Sequence, residues 1–156
     1  MKILILSDSH GRVSGLLDAV DREQPDRIFH LGDLIRDTED LMAVYPDIPI
    51  HRVVGNCDGW SAGAEELEVT LEGVRFLLVH GHNQRAKSGI AGLLQAGWAR
   101  KADVVCFGHT HQPYLEPQRD GMWLVNPGTA GGVYRSATYA VADVKAGKVS
   151  FALKEL

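Results

Sequence analysis

The sequence predicts an α/β protein in which two packed β-sheets have helices on the outside, and three patterns lead to this prediction. Short apolar runs alternate with helical spacing over the first third of the chain, which is typical of a parallel sheet with right-handed crossovers. The pair Glu72-Gly73 joins two apolar runs as an antiparallel hairpin. A second hairpin is predicted around Ala146-Gly147 in the tail. Parallel and antiparallel pairing in one chain of 156 residues favours two mixed sheets.

Each element follows from periodicity and from the residues that end it. Leu16, Leu17 and Val20 have helical spacing, and Pro25 stops the helix that they predict. The uninterrupted apolar runs are typical of buried strands. The predicted strands are residues 2–6, 27–31, 50–54, 67–71, 74–79, 104–107, 122–125, 137–143 and 149–153, and the predicted helices are 13–23, 38–44 and 90–102.

Length and composition predict one domain over residues 1–156, large enough to bury a real core. The formal net charge of −4 argues against a nucleic-acid groove, which normally shows a basic stripe. Cys57 and Cys106 do not form the pattern of a secreted disulfide framework. The first strand begins at once, which leaves no room for a secretion signal, and no apolar stretch approaches the ~20 residues that span a bilayer. We therefore expect a cytoplasmic protein without a membrane partner.

Seven residues, each placed just after a short apolar run, are candidate metal ligands. Because strand ends meet along one edge of a sheet, side chains distant in sequence can converge there. Three oxygen donors and four imidazoles exceed the four ligands of one structural zinc ion and suit two ions that share a carboxylate. The seven are Asp8, His10, Asp33, Asn56, His80, His109 and His111.

Several of these positions also have an ordinary structural interpretation. Asp8 could cap the first helix beside an unrelated histidine, although in extended backbone Asp8 and His10 would point to the same side. Asp33 could likewise be a cap, or it could bridge two cations roughly 3.5–4 Å apart. Asn56 offers a neutral amide oxygen but could equally occupy a turn. His80 ends an apolar strand, where an imidazole is costly unless it is hydrogen-bonded or coordinated.

The pair His109 and His111 is the sharpest individual signal, because two imidazoles on one side of an extended segment suit a metal. His82 is expected to lie outside the set of direct ligands or at the protein surface, since Gly81 can turn the chain away from the metal site. For His30 and His51, which lie inside strands, a satisfied or surface histidine is the favoured interpretation.

In these residues the chain resembles the calcineurin-like metallophosphoesterase superfamily, whose blocks D-x-H, G-D, G-N-H-D/E, H and G-H-x-H occur here in the same order over residues 8–111. The small size, the opening strand and the later Asn126-Pro127-Gly128-Thr129 are most similar to the YfcE-type phosphodiesterase branch. The resemblance implies two mixed β-sheets packed face to face with helices on both outer faces, a four-layer αββα sandwich.

The resemblance also implies a dinuclear metal centre and a metal-dependent phosphodiesterase, with a small phosphate ester as substrate and a metal-bridging hydroxide as nucleophile. One ion would take Asp8, His10, Asp33 and His111, and the other would take Asp33, Asn56, His80 and His109. Manganese is the expected metal, and nickel, iron, zinc or magnesium remain open. A homo-oligomer also remains open.

Two departures from the larger phosphatases concern the remaining candidate residues. Cys57 stands where those enzymes carry a histidine that is thought to protonate the leaving group, and it is a candidate on the leaving-group side. Asp58 is a candidate for orienting a donor or a water there. The order Arg36-Asp37 is reversed relative to the larger enzymes, which puts a phosphate contact from Arg36 in doubt.

Two rival functions come from other classes. A retromer subunit of eukaryotes shares the fold and acts mainly as a protein-interaction scaffold, but one of its metal ligands is replaced, whereas all seven positions are intact here. A structural metal domain would be rich in thiolates, and only Cys57 lies near. Trp60, Trp98, Trp123 and Tyr114 could line a pocket, form a dimer interface or lie in the core, and core is favoured for Trp98.

Overall fold

A computed structural model describes residues 1–59, 63–132 and 134–156. These residues form ten strands, three α-helices and two short 3-10 helices. The strands are β1 (Lys2–Leu6), β2 (Arg27–His30), β3 (Ile50–Arg52), β4 (Glu66–Leu71), β5 (Val74–Val79), β6 (Val104–Cys106), β7 (Tyr114–Pro117), β8 (Trp123–Asn126), β9 (Thr138–Lys145) and β10 (Lys148–Glu155). The α-helices are α1 (Val13–Glu23), α2 (Thr38–Val44) and α3 (Ala91–Ala99), and the 3-10 helices are Ile35–Asp37 and Ala86–Ser88.

The strands form two mixed five-stranded sheets, as predicted. The first sheet has the order β10-β9-β1-β2-β3, in which β1, β2 and β3 are parallel and the C-terminal hairpin is antiparallel. The second sheet has the order β4-β5-β6-β8-β7, with β5, β6 and β8 parallel and an antiparallel strand at each edge.

Three apolar clusters separate the four layers of the sandwich. The central cluster lies between the sheets, where Ile3 and Ile5 from the first sheet pack with Phe76 from the second. A second cluster joins the outer face of the first sheet to α1 and α2, and a third joins the outer face of the second sheet to α3. Strand β1 is buried on both faces, because Leu4 and Leu6 belong to the second cluster. The predicted αββα architecture is therefore confirmed.

Several predicted element bounds were wrong, and each has a local cause. The helix predicted over 90–102 ends at Ala99, and Lys101 beyond it has left-handed backbone with φ 51°. The strand predicted over 50–54 ends at Arg52, since Val53 makes an isolated bridge to Ala64. Strand β7 was missed because it is a short edge strand that ends in a proline, a residue that edge strands tolerate.

The core interpretation of Trp98 was also wrong. Its side chain is 56% exposed, and its indole N–H donates to Asp120 at 2.7 Å. The residues that α3 buries are Leu93 and Gly97 instead. Trp60 lies outside the described residues. Within the described ranges, no helix has both the length and the apolarity that crossing a bilayer requires.

Candidate metal centre

The predicted ligands lie in loops at the carboxyl ends of strands from both sheets. The segment after β1 carries Asp8 and His10, and the segment after β2 carries Asp33. In the second sheet, His80 follows β5, and the segment after β6 carries His109 and His111. Because the sheets pack face to face, their carboxyl edges bring these loops together.

These loops are held in an uncommon backbone conformation. Five predicted ligands have positive φ angles, between 47° and 70°: Asp8, His10, Asp33, His109 and His111. The expectation that each D-x-H or H-x-H pair lies in extended backbone was therefore wrong, because these residues turn sharply instead. Left-handed backbone is unfavourable for residues other than glycine and is often found at functional sites.

Asp8 lies in the middle of the candidate metal site and is fully buried. Its Oδ2 accepts hydrogen bonds from Ser7 Oγ at 2.6 Å and from the His109 amide at 3.1 Å. Its Oδ1 lies 3.2 Å from His111 Nε2 and 3.9 Å from His80 Nε2. One carboxylate oxygen is thus fixed by the protein and the other faces the histidines.

Asp33 is the second buried carboxylate of the centre. Its Oδ1 accepts a hydrogen bond from the Cys57 amide at 2.9 Å and lies 3.4 Å from His80 Nε2. Its Oδ2 lies 3.9 Å from His10 Nε2. Burial raises the pKa of the Asp33 carboxyl, but His80 and the Cys57 amide outweigh that effect and hold this pKa well below its ordinary value.

Four of the seven residues offer donor atoms that all lie within 4.8 Å of one another, namely Asp8, His10, Asp33 and His111. The Nε2 atoms of His10 and His111 are 3.4 Å apart. Two carboxylate oxygens and two imidazole nitrogens at this spacing form a donor set that suits a divalent transition metal ion.

His80 is oriented by the backbone of the neighbouring sheet. Its Nδ1 lies 2.7 Å from the carbonyl oxygen of Leu31, so Nδ1 carries a proton and donates a hydrogen bond to that oxygen. The other nitrogen, Nε2, faces Asp8 and Asp33. This is the arrangement found in metal sites, where a ligating histidine donates its second ring N–H to a carbonyl or carboxylate. Burial alone would lower the pKa of His80. The carboxylates of Asp33 and Asp8 raise this pKa by more than burial lowers it, so it lies above its ordinary value.

The candidate centre contains buried polar atoms that a bound cation would satisfy. Among the described residues, four buried polar side-chain atoms have no hydrogen-bond partner: Asp8 Oδ1, His80 Nε2, His51 Nε2 and His82 Nδ1. The first two face the centre, whereas the unpaired nitrogen of His51, which was expected to be satisfied or at the surface, lies in β3. Burying such atoms unpaired is costly, because water or a partner must otherwise replace the lost hydrogen bonds. Divalent cations held at the centre would satisfy both atoms that face it, so the residues present fit a metal.

His109 lies beside the four-residue set rather than within it. Its ring centroid is 5.1 Å from that of His80. Burial, followed by the positive charges of His80 and Lys87, lowers the pKa of His109 to about 4. The neutral form that can bind a metal therefore predominates at neutral pH.

Asn56 and His82 occupy the rim of the centre. Asn56 is exposed, and its amide group lies 3.7 Å from Cys57 Sγ. Because the Cys57 amide bonds to Asp33, this segment lies directly against the centre. His82 is half-buried, with its ring 5.4 Å from that of His80 and 6.1 Å from that of His109. Burial and then the charge of His80 lower the pKa of His82.

Asp58 holds the loop of Asp33 in place, a role that its sequence position did not indicate. It is 8% exposed. Its two oxygens accept hydrogen bonds from the amides of Asp33 at 3.0 Å, Ile35 at 2.8 Å and Gly55 at 2.6 Å. A Cβ atom at Gly55 would overlap Asp33 Oδ1, so the glycine permits this close approach. Cys57 is an exposed residue. Partial desolvation of its thiol, together with the negative charge of Asp33, raises the pKa of the thiol.

A buried network fixes the loop that carries Asp8 and His10. The Gly32 amide donates to His30 Nδ1 at 3.3 Å, so the proton of this imidazole is on Nε2, which lies 3.1 Å from Ser9 Oγ. Ser9 Oγ donates to Asp37 Oδ2 at 2.8 Å, and the same oxygen accepts the Gly11 amide at 2.8 Å. Burial lowers the pKa of His30 to about 4. The interpretation of His30 as a satisfied buried histidine is thus confirmed.

The segment after β8 connects both halves of the centre. Asn126 Nδ2 donates to the Gly108 carbonyl at 3.1 Å and to Thr110 Oγ1 at 3.0 Å, inside the loop that carries His109 and His111. Thr129 Oγ1 donates to the Asp8 carbonyl at 2.9 Å. In the sequence, Asn126 and Thr129 contributed only to the family resemblance, because the groups that they contact are remote in the chain.

Comparisons with known proteins identify the family of this chain. The model of the calcineurin-like phosphoesterase superfamily domain matches residues 1–147. A probable metallophosphoesterase of Bacillus subtilis is 33% identical over 150 residues, covering 93% of this chain and 85% of that protein. A phosphodiesterase of Methanocaldococcus jannaschii is 29% identical, covering 85% and 86%.

A similar fold occurs in a eukaryotic protein with a bound metal. The crystal structure of Vps29 from Entamoeba histolytica complexed with zinc superimposes with a TM-score of 0.81 at 19% identity, covering 99% of each chain. At this identity the likeness concerns the fold. The family match spans residues 1–147, most of the chain, and the chain therefore belongs to the calcineurin-like phosphoesterase superfamily.

Proposed function

We propose that this protein is a dinuclear, metal-dependent phosphoesterase that acts on phosphodiesters. The observation that carries the proposal is the facing pair of unpartnered buried atoms, Asp8 Oδ1 and His80 Nε2. His80 Nε2 also lies 3.4 Å from the Asp33 carboxylate, and the ring of His80 is oriented by the carbonyl oxygen of Leu31. Two such atoms left unpaired side by side are costly to bury unless a bound ion or water satisfies them.

The donor atoms divide into two overlapping sets. Asp8, His10 and His111 would hold one ion with Asp33. His80, His109 and Asn56 would hold the other ion, again with Asp33. When bound, such ions supply Lewis-acid charge that neutralises phosphoryl oxygens and lowers the pKa of coordinated water. Manganese is the metal that we propose, and the mixed oxygen and imidazole donors would also accommodate nickel, iron or zinc.

The chain itself supplies orientation. Leu31 fixes the ring of His80, the His109 amide fixes Oδ2 of Asp8, and Asp58 fixes the backbone of Asp33. These three donors are thereby held before a substrate arrives, which limits the reorganisation needed during the reaction.

The identity of residue 57 favours diesters and activated esters as substrates. A thiol replaces the histidine that would protonate a leaving oxygen in the larger relatives. A good leaving group needs little proton donation, whereas an unactivated alkoxide needs a general acid. The phosphodiesterase of Methanocaldococcus jannaschii, which is 29% identical, is consistent with this preference.

The test combines metal counting with hydrolysis. Protein purified without chelator, loaded with manganese and freed of excess metal should retain two ions per chain and hydrolyse bis(4-nitrophenyl) phosphate. Asp8→Asn should lose metal and activity together, whereas Asp47→Asn should keep both, because Asp47 is an exposed residue of the turn before β3. One ion or none per chain after loading would contradict the dinuclear proposal.

A non-catalytic scaffold of the same fold is the alternative. Full manganese occupancy without hydrolysis of mono- or diesters would favour it. The intact donor set and the fixed orientation of His80 support the enzyme, because a scaffold does not require unpaired buried donors.

A further inference from the structure

We propose that the edge strand β10 pairs antiparallel with β10 of a second copy of this chain, so that the first sheets of two protomers form one continuous sheet. This pairing does not depend on the proposed phosphoesterase function. Among the sheet edges of the described residues, β10 is the longest and the least protected against association.

The other sheet edges carry the usual protections against pairing with another chain. In the described part of the protein, the edge strands are β3 and β10 in the first sheet and β4 and β7 in the second. Strand β3 has only three residues, β4 carries Glu66 and Glu68, and β7 carries Glu116 and ends at Pro117. Short length, charged side chains and proline all make an edge a poor template for a further strand.

Strand β10 lacks these protections along its centre. It pairs with β9 over eight residues in continuous register and contains no proline. Residues 149–153 carry no charge, and Leu153 is a large apolar side chain that is 38% exposed. Val149 and Phe151 are only partly buried against the central cluster. A long apolar edge of this kind favours association with another strand.

The lysine that would ordinarily protect this edge is drawn back toward the helical layer. Lys154 Nζ donates to Glu23 Oε1 at 2.7 Å, and the same oxygen accepts the Tyr139 hydroxyl at 2.7 Å. Glu23 is 4% exposed and belongs to α1. A lysine discourages pairing when its charge projects freely from an edge strand. Because Lys154 is held by a carboxylate, its charge does not protect the edge in this way.

The sequence of β10 is complementary to itself when two copies run antiparallel about a two-fold axis. With the axis at Ala152, Phe151 lies opposite the partner's Leu153, so each copy covers the apolar residue that the other exposes. An axis at Phe151 would instead place Lys148 opposite the partner's Lys154, and two ammonium groups would then share one carboxylate. We therefore expect the register that is centred on Ala152.

The assembly closes at two chains. A two-fold axis uses β10 of both copies, and the edges that remain free in the joined sheet are the short β3 strands. Such a closed contact gives a dimer rather than a filament. The axis reverses the strand direction, so the two candidate metal centres, which follow the carboxyl ends of β1 and β2, lie at opposite ends of the joined sheet. Hydrolysis should therefore not depend on the pairing.

Sedimentation analysis over a range of protein concentrations tests the surface. The mass of the unaltered protein should approach twice the 17.0 kDa of one chain as its concentration rises. Leu153→Lys should raise the dimer dissociation constant by at least about tenfold, because it buries a charge at two symmetric places. Val44→Lys is the matched control, since Val44 is an exposed apolar residue of α2, and it should dimerise like the unaltered protein.

Disulfide cross-linking tests the register. Each variant also carries Cys57→Ser, because Cys57 is an exposed thiol. Ala152→Cys should give a covalent dimer on oxidation, since opposed residues of antiparallel strands have Cα atoms about 4.5–5.5 Å apart, within disulfide range. Ser150→Cys is the control, because Ser150 is exposed on the same face. In the proposed register its two copies are about 13 Å apart and should not cross-link.

Three results would overturn the proposal: a monomer at every concentration, an equal effect of the two lysine variants, or cross-linking that does not favour Ala152→Cys over Ser150→Cys. Hydrolysis of bis(4-nitrophenyl) phosphate is measured separately and should be alike in Leu153→Lys and the unaltered protein. A failure of the dimer is therefore distinguishable from a failure of the phosphoesterase proposal.

Discussion

The carboxylate of Asp58 accepts the backbone amide of Asp33 at 3.0 Å, across a separation of 25 residues. The same carboxylate binds the amides of Ile35 and Gly55. The Asp58 side chain, which belongs to residues 55–58, therefore fixes the backbone around Asp33. The two loops form one unit at the carboxyl edge of the first sheet.

This relationship predicts that Asp58→Asn lowers stability and metal affinity together. An amide in place of the carboxylate turns an NH₂ group toward at least one backbone N–H, which would destabilise the protein by about 1–3 kcal/mol. Urea unfolding of the chelated protein would measure the loss, with Asp47→Asn as the exposed control. A catalytic role for Asp58 predicts a different result, with full stability and metal content but a reduced rate.

Asp33→Ala should impair activity far more than His82→Ala. Asp33 is the carboxylate that the two proposed donor sets share, so its removal should lower the rate of diester hydrolysis by more than about 100-fold, the upper range for losing a supporting partner alone. His82 stands at the rim, and its removal should change the rate by less than about tenfold. Metal content and rate should be measured for both variants, and equal losses would show that His82 is itself a ligand.

Cys57→His should change rates according to the leaving group. General acid help is worth ~10²–10⁴-fold when the leaving alkoxide is poor and much less for nitrophenolate. We therefore expect alkyl esters to gain more than nitrophenyl esters, at unchanged metal content. A uniform effect on both classes would contradict the argument from the leaving group.

Acidification should destabilise the metal-free protein partly through His30. Burial lowers the pKa of this imidazole to about 4, below its ordinary value of 6.5. Between these two pH values the unfolded chain binds the proton and the folded protein does not, so the contribution is present above pH 6.5 and is lost as the pH falls toward 4. The full effect is up to about 3 kcal/mol.

His30→Gln tests this contribution because glutamine keeps a donor for Ser9 but does not titrate. Denaturant unfolding of chelated protein at several pH values should give a shallower slope for the variant between pH 4 and pH 6.5. Parallel curves for the two proteins would assign the acid sensitivity to other groups.

Much of the fold was predictable because it depends on local patterns. Helix α1 has the predicted bounds, 13–23, since its apolar residues repeat with helical spacing and a proline follows. The convergence of the ligand blocks was predictable for a related reason, as parallel strands end at one edge. Trp98 was mispredicted because helical spacing alone does not tell which side of α3 meets the sheet.

The supporting contacts of the site were not predictable from sequence. Asp58, Asp37 and Asn126 act on backbone amides or carbonyls of loops that are remote in the chain, and a backbone group carries no residue signature. The left-handed conformation of His109 and His111 was missed for the same reason, because tertiary contacts impose it on residues that do not prefer it.

The left-handed ligands have a consequence for how this protein would change under selection. Glycine adopts such backbone without strain, so replacing His10 or His111 by glycine would relieve conformational cost while removing a ligand. Variants that are not under selection for metal binding would therefore gain conformational stability by replacing these residues. The five side chains in left-handed backbone are therefore positions at which conformational stability and the proposed metal binding oppose each other.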